Sequence, residues 1–409
     1  MEKIISRKLY LRKIKKYYKK PIIKVITGMR RTWKSYFLKS IFDDMKNCNI
    51  VIDNNIFYIN KESLDFDFIN DYKDLNNYFL KWLKDNNVKW FFIVAIDEIQ
   101  LIKWWEKFIN SILLDYREKL DIFVTGSNSN LLSSELSTLI AWRYIEFHIY
   151  PLIFSEYLDF YNWDKNDLFL DYLKYWWLPW LVRLPKEDDL IYEYLRGIYS
   201  TIFVKDILYY NKLKTSNIFE KLYIYILKNI WTIFSAKKIT DYIKSNLQTK
   251  TSLDTIINYI NLWLKTYLIY EVNRYNIKWK NVFQVNNKYF SWDIWIRNAK
   301  VWFNFAKDIT NVLENIIFLE LKTRWYNVNV WILWNLEIEF VAEKNWEIIY
   351  IQVCYLLSNQ DTIDREFWNL LKIKDNWKKY VLSMDNIFET KNEWIIHKNI
   401  IDFLLDKDL

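Results

Sequence analysis

The chain has 409 residues, room for two or three domains with sizeable cores, and a formal net charge of +8, which permits a nucleic acid partner without requiring one. It has two cysteines, which excludes a disulfide framework, and no apolar run reaches the roughly 18 residues of a membrane span. Because the charged N-terminus also lacks the apolar core of a signal peptide, these features predict a cytoplasmic protein without a membrane segment.

Glycine and tryptophan occur in unusual numbers. Soluble proteins contain about 7% glycine, so a chain of this length should hold roughly 29. This chain has 3 glycines and 23 tryptophans. An AT-rich gene would deplete glycine, but it would not enrich tryptophan. The hypothesis is that most of these tryptophans are glycines in the cell, encoded by UGA codons in a lineage that reads UGA as glycine.

The N-terminal region predicts a phosphate-binding loop with one unexpected residue. Residues 1–20 form a basic amphipathic pattern, either a solvated helix face or a contact to nucleic acid or phospholipid, and an apolar strand then ends at Gly28. Gly28, Lys34 and Ser35 match the first, seventh and eighth positions of the template GxxxxGK(S/T), while Trp33 stands at the second glycine. In such loops the backbone N–H groups and the lysine bind phosphates, and the hydroxyl binds Mg²⁺. The predicted ATP-binding residues are Gly28, Met29, Arg30, Arg31, Thr32, Trp33, Lys34 and Ser35, with Lys34 also catalytic and Ser35 a Mg²⁺ ligand.

Local context favours glycine at several tryptophan positions. The backbone of the loop must approach the phosphate closely, in a conformation that a residue with a Cβ atom resists, so Trp33 should block the site. Trp346 lies between two alternating strand-like runs, where a two-residue hairpin favours Asn-Gly. Trp279 lies in a similar turn, and residues 175–180 would otherwise form an aromatic cluster. Trp105, in an amphipathic helical stretch, is compatible with a genuine tryptophan.

Two further strands supply the acids and polar groups that such a loop requires. Residues 88–100 form a near-continuous apolar run that closes in Asp97 and Glu98, as expected of a buried strand in a parallel sheet. Asp97 is the predicted Mg²⁺ ligand, and Glu98 is the predicted catalytic residue that polarises the attacking water. The strand predicted over residues 120–130 ends in Ser127 and Asn128, either of which suits a γ-phosphate sensor.

Arg143 is the last candidate of this region. It stands at the start of a further predicted strand. An arginine there is either a finger that stabilises a γ-phosphate, in cis or across a subunit boundary, or one partner of a structural salt bridge.

The chain resembles a family of prokaryotic AAA-superfamily ATP-binding proteins with a C-terminal domain of unknown function, related to restriction-endonuclease-like folds. The resemblance implies ATP and Mg²⁺ binding at residues 28–35 with Asp97 and Glu98. The family pattern has glycine at Trp33, Trp142, Trp176, Trp177, Trp325 and Trp346. The strings that carry the resemblance are ITGMRRTWKS, IDEIQ, VTGSNSNLLSSEL, AWRYIEFHIYPLIFSEYL, KYWWLPW, LENIIFLELKTRWYNV, EIEFVAEK, IYIQVCY and DREFWNLLKIKD.

The predicted fold class is α/β, in three domains. Residues 1–160 form an AAA-like P-loop NTPase domain with a parallel sheet, and residues 161–305 form a helical domain. Three short helices and a hairpin in that second domain follow the order of a winged helix, which would bind nucleic acid. The alternative is that these helices form a lid that packs on the ATPase core. Residues 306–409 form an α/β restriction-endonuclease-like domain.

The C-terminal domain lacks part of the expected nuclease chemistry. Nucleases of this type use an acid on one strand and an acid-x-lysine on the next to bind Mg²⁺. Glu339 suits the first position and Glu314 or Glu320 suits a helical acid, but the second strand carries Gln352 and no lysine two residues later. The domain is therefore predicted to be catalytically degenerate and kept for binding or assembly.

The sequence thus predicts an Mg²⁺-dependent ATPase of AAA type that couples hydrolysis to rearrangement of a nucleic-acid- or protein-binding module, with oligomerisation left open. The alternative is a nucleotide-gated scaffold or pseudo-ATPase without turnover. His148 and His397 are the only histidines and show no ligand spacing, so neither is expected to bind a metal.

Overall fold

The structure is a computed structural model, and it divides into two compact units, Met1–Ile149 and Tyr150–Leu409. The described residues are 7–132, 143–161, 164–175, 185, 187–202, 216–229, 231, 236–247, 252–276, 281–291, 294, 297–298, 301, 304–333, 336–386 and 394–407.

The first unit alternates helices and strands over its described residues. Its helices are α1 (Lys8–Ile14), α2 (Lys34–Asn47), α3 (Tyr72–Asp85) and α4 (Trp105–Tyr116), and its strands are β1 (Ile23–Thr27), β2 (Ile56–Asn60), β3 (Phe92–Asp97), β4 (Leu120–Gly126) and β5 (Tyr144–His148).

These strands form a parallel sheet in the order β2-β3-β4-β1-β5, which confirms the predicted parallel sheet. Every residue of β1, β3 and β4 is buried, which explains their near-continuous apolar sequences. Since β4 lies between β1 and β3, the carboxyl ends of these three strands meet at one edge of the sheet. The predicted phosphate loop follows β1, the acids Asp97 and Glu98 lie at the end of β3, and the predicted sensor residues follow β4.

A buried ion pair fixes the opposite end of the sheet. Lys24 on β1 and Asp121 on β4 are completely buried, with 2.5 Å between Nζ and Oδ1. The second carboxylate oxygen of Asp121 accepts a hydrogen bond from the backbone N–H of Lys19, and Lys24 also donates to the carbonyl of Lys20. These bonds to Lys19 and Lys20 connect the segment before β1 to the sheet. Removing either partner of the ion pair would leave the other charge buried and unpaired.

The second unit combines helices with a mixed sheet. Its helices are α5 (Phe154–Leu158), α6 (Lys165–Tyr175), α7 (Asp188–Ile202), α8 (Ser216–Lys228), α9 (Ala236–Leu247), α10 (Leu253–Lys265), α11 (Phe305–Thr323), α12 (Gln360–Leu371) and α13 (Ile400–Leu405), and its strands are β6 (Ile269–Asn276), β7 (Asn281–Ser291), β8 (Asn327–Leu333), β9 (Leu336–Lys344), β10 (Glu347–Val353), β11 (Lys378–Ser383) and β12 (Ile395–Asn399). Among the described helices, none has both the length and the apolar character needed to cross a bilayer.

The sheet of the second unit has the order β12-β11-β10-β9-β8-β6-β7. Strands β8, β9 and β10 form an antiparallel meander, while β10, β11 and β12 pair in parallel. The hairpin β6–β7, predicted as the wing of a winged helix, joins this sheet through parallel pairing of β6 with β8. The sheet therefore spans the domain boundary predicted at residue 305. The first compact unit ends at Ile149, whereas the sequence analysis places the end of the first domain at residue 160. The three-domain division, the winged helix and the nuclease-like domain stay predictions.

Several tryptophans adopt the left-handed backbone conformation. An L-residue with a Cβ atom pays roughly 1–2 kcal/mol to adopt it, whereas glycine adopts it readily. At Trp346 this conformation forms the two-residue turn between β9 and β10, with Asn345 at φ 53° and Trp346 at φ 70°. Trp142, Trp279 and residues 176–180 lie outside the described residues. Among the described residues, the tryptophans with positive φ are Trp33, Trp104, Trp231, Trp325 and Trp346.

Two adjacent tryptophans allow a matched test of this backbone argument. Trp104 has φ 54° and is 59% exposed, whereas Trp105 begins α4 and is 3% exposed in the core under the sheet. We expect Trp104→Gly to leave the free energy of unfolding unchanged or to raise it by about 1 kcal/mol, because strain is relieved. Trp105→Gly should lower it by about 3–5 kcal/mol, because a cavity forms in the core. Urea denaturation of both variants measures the difference, and an equal loss at both positions would contradict the argument.

Candidate nucleotide-binding site

The loop between β1 and α2 has a backbone that favours glycine. Gly28 has φ 141°, and a Cβ atom there would lie 2.5 Å from the carbonyl oxygen of Ile149. Arg31 and Trp33 have φ values of 67° and 63°, and α2 begins directly after Trp33. The loop thus turns sharply into a helix N-terminus, where free N–H groups and the helix dipole favour an anion.

Lys34 points its ammonium group back into this loop. Its Nζ donates a hydrogen bond to the carbonyl oxygen of Met29 at 2.9 Å and lies 3.8 Å from Oε1 of Glu98. Burial lowers the pKa of Lys34 from its ordinary value, against the opposing effect of Glu98. The ammonium is therefore positioned between the loop and the acids at the end of β3.

Asp97 ends β3 next to the first residues of α2. Its carboxylate accepts hydrogen bonds from the hydroxyls of Ser35 and Thr125, and the hydroxyl of Tyr58 lies 3.5 Å away. Burial raises the pKa of Asp97, and the hydrogen bonds from Ser35 and Thr125 oppose that rise. A hydroxyl and a carboxylate in contact are oxygen donors suited to Mg²⁺, which usually takes one or two carboxylates together with substrate phosphates. Ser35 and Asp97 therefore fit the predicted metal site.

Glu98 is held by several polar groups and is 6% exposed. Its backbone N–H donates to the Thr125 hydroxyl at 3.0 Å, and its Oε2 accepts a hydrogen bond from Nε2 of Gln100 at 2.5 Å. Ser127 also hydrogen-bonds to its carboxylate. Burial alone would raise the pKa of Glu98, but the positive charges of Lys34 and Arg30 outweigh burial, so the pKa lies below its ordinary value. Glu98 is therefore ionised at neutral pH.

Of the two predicted sensor residues, Ser127 is the one that contacts Glu98. Asn128 follows it in the chain, is partly buried, and its carbonyl oxygen accepts a hydrogen bond from the N–H of Leu131. Arg30 of the loop pairs with Glu62 at 2.5 Å. The structure thus brings Lys34, Ser35, Asp97 and Glu98 together, with Ser127 and Asn128 at the neighbouring strand end.

Arg143 lies elsewhere in this unit. It precedes β5, is exposed, and its carbonyl oxygen accepts the N–H of Ile23 at the start of β1. Because β1 and β5 run parallel, that position is at the edge of the sheet opposite the loop. Five strand residues at about 3.3 Å each separate the two edges by about 16 Å. Arg143 therefore cannot act on a phosphate of this site in cis, which corrects that part of the prediction.

Two residues of the site have no counterpart among the sequence predictions. Gln100 returns to Glu98 because residues 99–101 form a short 3₁₀ turn. Thr125 reaches both acids because β3 pairs with β4 in a register that sets Ile96 opposite Val124. Gln100 belongs to the string IDEIQ, so the sequence contained a signal for it. Thr125 had no such signal, because a strand register cannot be read from a single sequence.

The chain is similar to known proteins. Residues 20–158 match the model of a family described as an AAA domain. An uncharacterized protein of Haemophilus influenzae is 33% identical over 407 residues, which cover 98% of this chain and 99% of that protein. An uncharacterized protein of Methanocaldococcus jannaschii is 30% identical over 391 residues, 89% of this chain and 80% of that protein. The chain belongs to the same family as these two proteins.

A solved structure, the Walker-type ATPase of Pyrococcus abyssi, is similar with a TM-score of 0.47 and 18% identity, and the match covers 73% of this chain and 96% of that one. The match to the AAA domain spans the loop, β3 and β4, and it confirms the prediction of a P-loop AAA-type domain in the first unit. Nucleotide binding is the property that such a domain indicates.

Two glycines allow a matched test of the loop geometry. Gly28→Ala should lower the free energy of unfolding by about 1–3 kcal/mol, because of its backbone conformation and the contact with Ile149. Gly197 lies in α7, where a Cβ atom would meet no heavy atom within 4 Å, so Gly197→Ala should raise the free energy of unfolding by about 0.5–1 kcal/mol. Urea denaturation measures both, and a Gly28→Ala variant as stable as the parent chain would show that the loop tolerates a side chain there.

Proposed function

We propose that this protein binds and hydrolyses Mg²⁺-ATP and uses the nucleotide state to rearrange its second unit on a nucleic acid or protein target. The observation that carries this proposal is the convergence of Lys34, Ser35, Asp97 and Glu98 at the N-terminus of α2. Oligomerisation, and with it a role for Arg143 in trans, stays a prediction.

Each residue has a task in this reaction. The loop N–H groups and the start of α2 bind the phosphates, while Lys34 exchanges its contacts with Met29 and Glu98 for the β- and γ-phosphates. Ser35 and Asp97 would hold Mg²⁺, and the ion would supply positive charge against the charge that develops on the phosphates. Glu98, ionised and oriented by Gln100 and Ser127, accepts the proton of the attacking water. Asn128 is assigned the contact with the γ-phosphate, because it follows the end of β4 next to Ser127.

The alternative is a nucleotide-gated scaffold or pseudo-ATPase that binds ATP without turnover. Such a protein needs the loop and a metal ligand, but it does not need a second, ionised acid. Glu98 is ionised, buried and held by Gln100 and Ser127, as a carboxylate that orients the attacking water would be. This arrangement favours hydrolysis over binding alone.

Glu98→Gln separates the two functions. The variant keeps the shape of the side chain and loses the base, so we expect ATP affinity within a few fold of the parent chain and turnover lower by about 10²–10⁴-fold. Nucleotide titration and phosphate release measure the two quantities. Glu118→Gln, at an exposed acid after α4, is the control and should leave both unchanged. Equal turnover in the parent chain and Glu98→Gln would rule out Glu98 as the base.

We also propose that residue 33 is glycine in the cell, together with most of the other tryptophan positions. The glycine and tryptophan totals and the positive φ values of Trp33, Trp104, Trp231, Trp325 and Trp346 support this. Trp33 is buried and its ring packs 5.2 Å from that of Tyr36 in the first turn of α2. An indole in the phosphate loop is thus the main obstacle to the proposed activity.

Residue 33 can be tested in two ways. Peptide mass spectrometry of the protein isolated from its own organism identifies the residue directly. In parallel, ATP affinity and turnover are compared for the printed sequence and its Trp33→Gly variant. We expect hydrolysis only with glycine, because the backbone can then approach the phosphate. If the printed sequence binds and hydrolyses ATP equally well, tryptophan is tolerated in the loop, and the argument for glycine fails.

For the second unit we propose a nuclease-like fold without nuclease activity. Glu339 on β9 lies beside Gln352 on β10, whose Oε1 accepts the N–H of Glu339 at 2.8 Å. Of the two helical acids considered, Glu314 is close enough to raise the pKa of Glu339, whereas Glu320 pairs with Arg324 at 2.7 Å. The neutral Gln352, and Cys354 at the expected lysine position, both support the absence of cleavage. The unit then serves in binding a nucleic acid or protein.

A further inference from the structure

The second unit contains a lysine surrounded by carboxylates. Lys288 on β7 is 4% exposed, and its Nζ lies 2.9 Å from Oε2 of Glu314 on α11 and 3.4 Å from Oε1 of Glu337 on β9. Glu339, two residues after Glu337 on β9, lies close enough to Glu314 and Lys288 for both to shift its pKa. Three chain segments distant in sequence therefore contribute charges to one place.

Further polar contacts hold this cluster in position. Oε2 of Glu339 accepts the N–H of Val353 at 2.6 Å. Gln352, which accepts the N–H of Glu339, donates through Nε2 to Oε2 of Glu366 on α12 at 3.0 Å. Arg365, which is largely exposed, pairs with Glu366 at 2.6 Å. The backbone of β10 thus holds Glu339, and Gln352 links Glu339 to Glu366 on α12.

Gathering these carboxylates is electrostatically costly. Burial, followed by repulsion from Glu314, raises the pKa of Glu339 well above its ordinary value, and burial also raises the pKa of Glu314. Burial alone would lower the pKa of Lys288, but Glu314, Glu337 and Glu339 outweigh it, so the net shift is upward and the ammonium stays charged. Lys288 is therefore the cation that lets Glu314 and Glu337 remain close.

We propose that Lys288 takes the place that a divalent cation would otherwise occupy among Glu314, Glu337 and Glu339. The buried ammonium of Lys288 lies within hydrogen-bond distance of two of these acids, Glu314 and Glu337. An ammonium donates three hydrogen bonds at about 2.7–2.9 Å to carboxylates, whereas Mg²⁺ needs oxygen ligands at about 2.0–2.1 Å. Among the described residues, no group of three or more His, Cys, Asp or Glu side chains is arranged to hold a metal ion.

The proposal predicts that removing the ammonium creates a metal site. A Lys288→Met variant keeps an unbranched side chain of similar length, and it leaves three carboxylates without their counter-charge. Carboxylate oxygens are the ligands that hard divalent cations prefer. The variant should therefore bind a divalent ion that the parent chain excludes. This inference is independent of ATP hydrolysis in the first unit and goes beyond the proposed loss of nuclease activity.

Mn²⁺ titration followed by electron paramagnetic resonance tests the proposal on the full chain without nucleotide. All variants carry Asp97→Asn, which removes the metal ligand predicted in the first unit. We expect Lys288→Met to bind Mn²⁺ at least tenfold more tightly than this parent, and the addition of Glu314→Gln to abolish the gain. Lys379→Met is the matched control, since Lys379 is an equally buried lysine that pairs with Asp375 at 3.0 Å outside the cluster. It should gain no site.

Stability supplies a second readout. Lys288→Met should melt at a lower temperature than the parent in EDTA and recover with Mn²⁺, because the ion restores the missing charge. Lys288→Gln, which keeps hydrogen-bond donors, is examined in the same way in case Lys288→Met does not fold.

Three results would overturn the proposal. The first is a folded Lys288 variant that gains no Mn²⁺ affinity. The second is failure of both Lys288 variants to fold even with Mn²⁺ present, because a replacement cation should restore the cluster. The third is Mn²⁺ binding by the parent that Glu314→Gln removes, since the carboxylates would then accept metal beside Lys288.

Discussion

The parallel pairing of β4 with both β1 and β3 is the constraint on which the site depends. The register sets Thr27 opposite Gly126 and Ile96 opposite Val124, so the three strands end at nearly the same level. Thr125, one residue before the end of β4, then reaches Asp97 and Glu98 through its hydroxyl. A shift of one residue would turn these side chains to opposite faces of the sheet and separate the loop from its acids.

The two units use the same electrostatic principle with different consequences. In each, a buried lysine lies beside carboxylates that burial would otherwise drive towards the neutral form. Lys34 is 3.8 Å from Glu98 and donates to a loop carbonyl at 2.9 Å, contacts that a phosphate would replace in the proposed reaction. Lys288 is 2.9 Å from Glu314 and has a second acid within 3.4 Å, so its ammonium is held far more closely. In our proposals the first lysine therefore serves a ligand, whereas the second is part of the fold.

The sequence predicts what depends on local pattern, and it misses what depends on register. The apolar runs before Gly28 and Asp97 predicted buried strands, and the spacing of Gly28, Lys34 and Ser35 predicted the loop. Arg143 was assigned from its place beside a strand, but only the direction of β5 relative to β1 shows which edge of the sheet it occupies. The sequence around Lys288 did not predict its ion pairs. The partners are distant from it in the chain and meet it only where β7, α11 and β9 come together.

The tryptophans show why backbone conformation says more than composition. The totals of 3 glycines and 23 tryptophans identify an anomaly in the whole chain but no individual position. Backbone conformation distinguishes neighbours, because Trp104 is exposed in the left-handed region while Trp105 fills the core from a helix. Only the first position favours glycine, since glycine at the second would leave a large cavity. The recoding that we propose therefore leaves genuine tryptophans such as Trp105, and the sign of φ is the property that separates the two groups, since Trp33 and Trp231 have positive φ although they are buried.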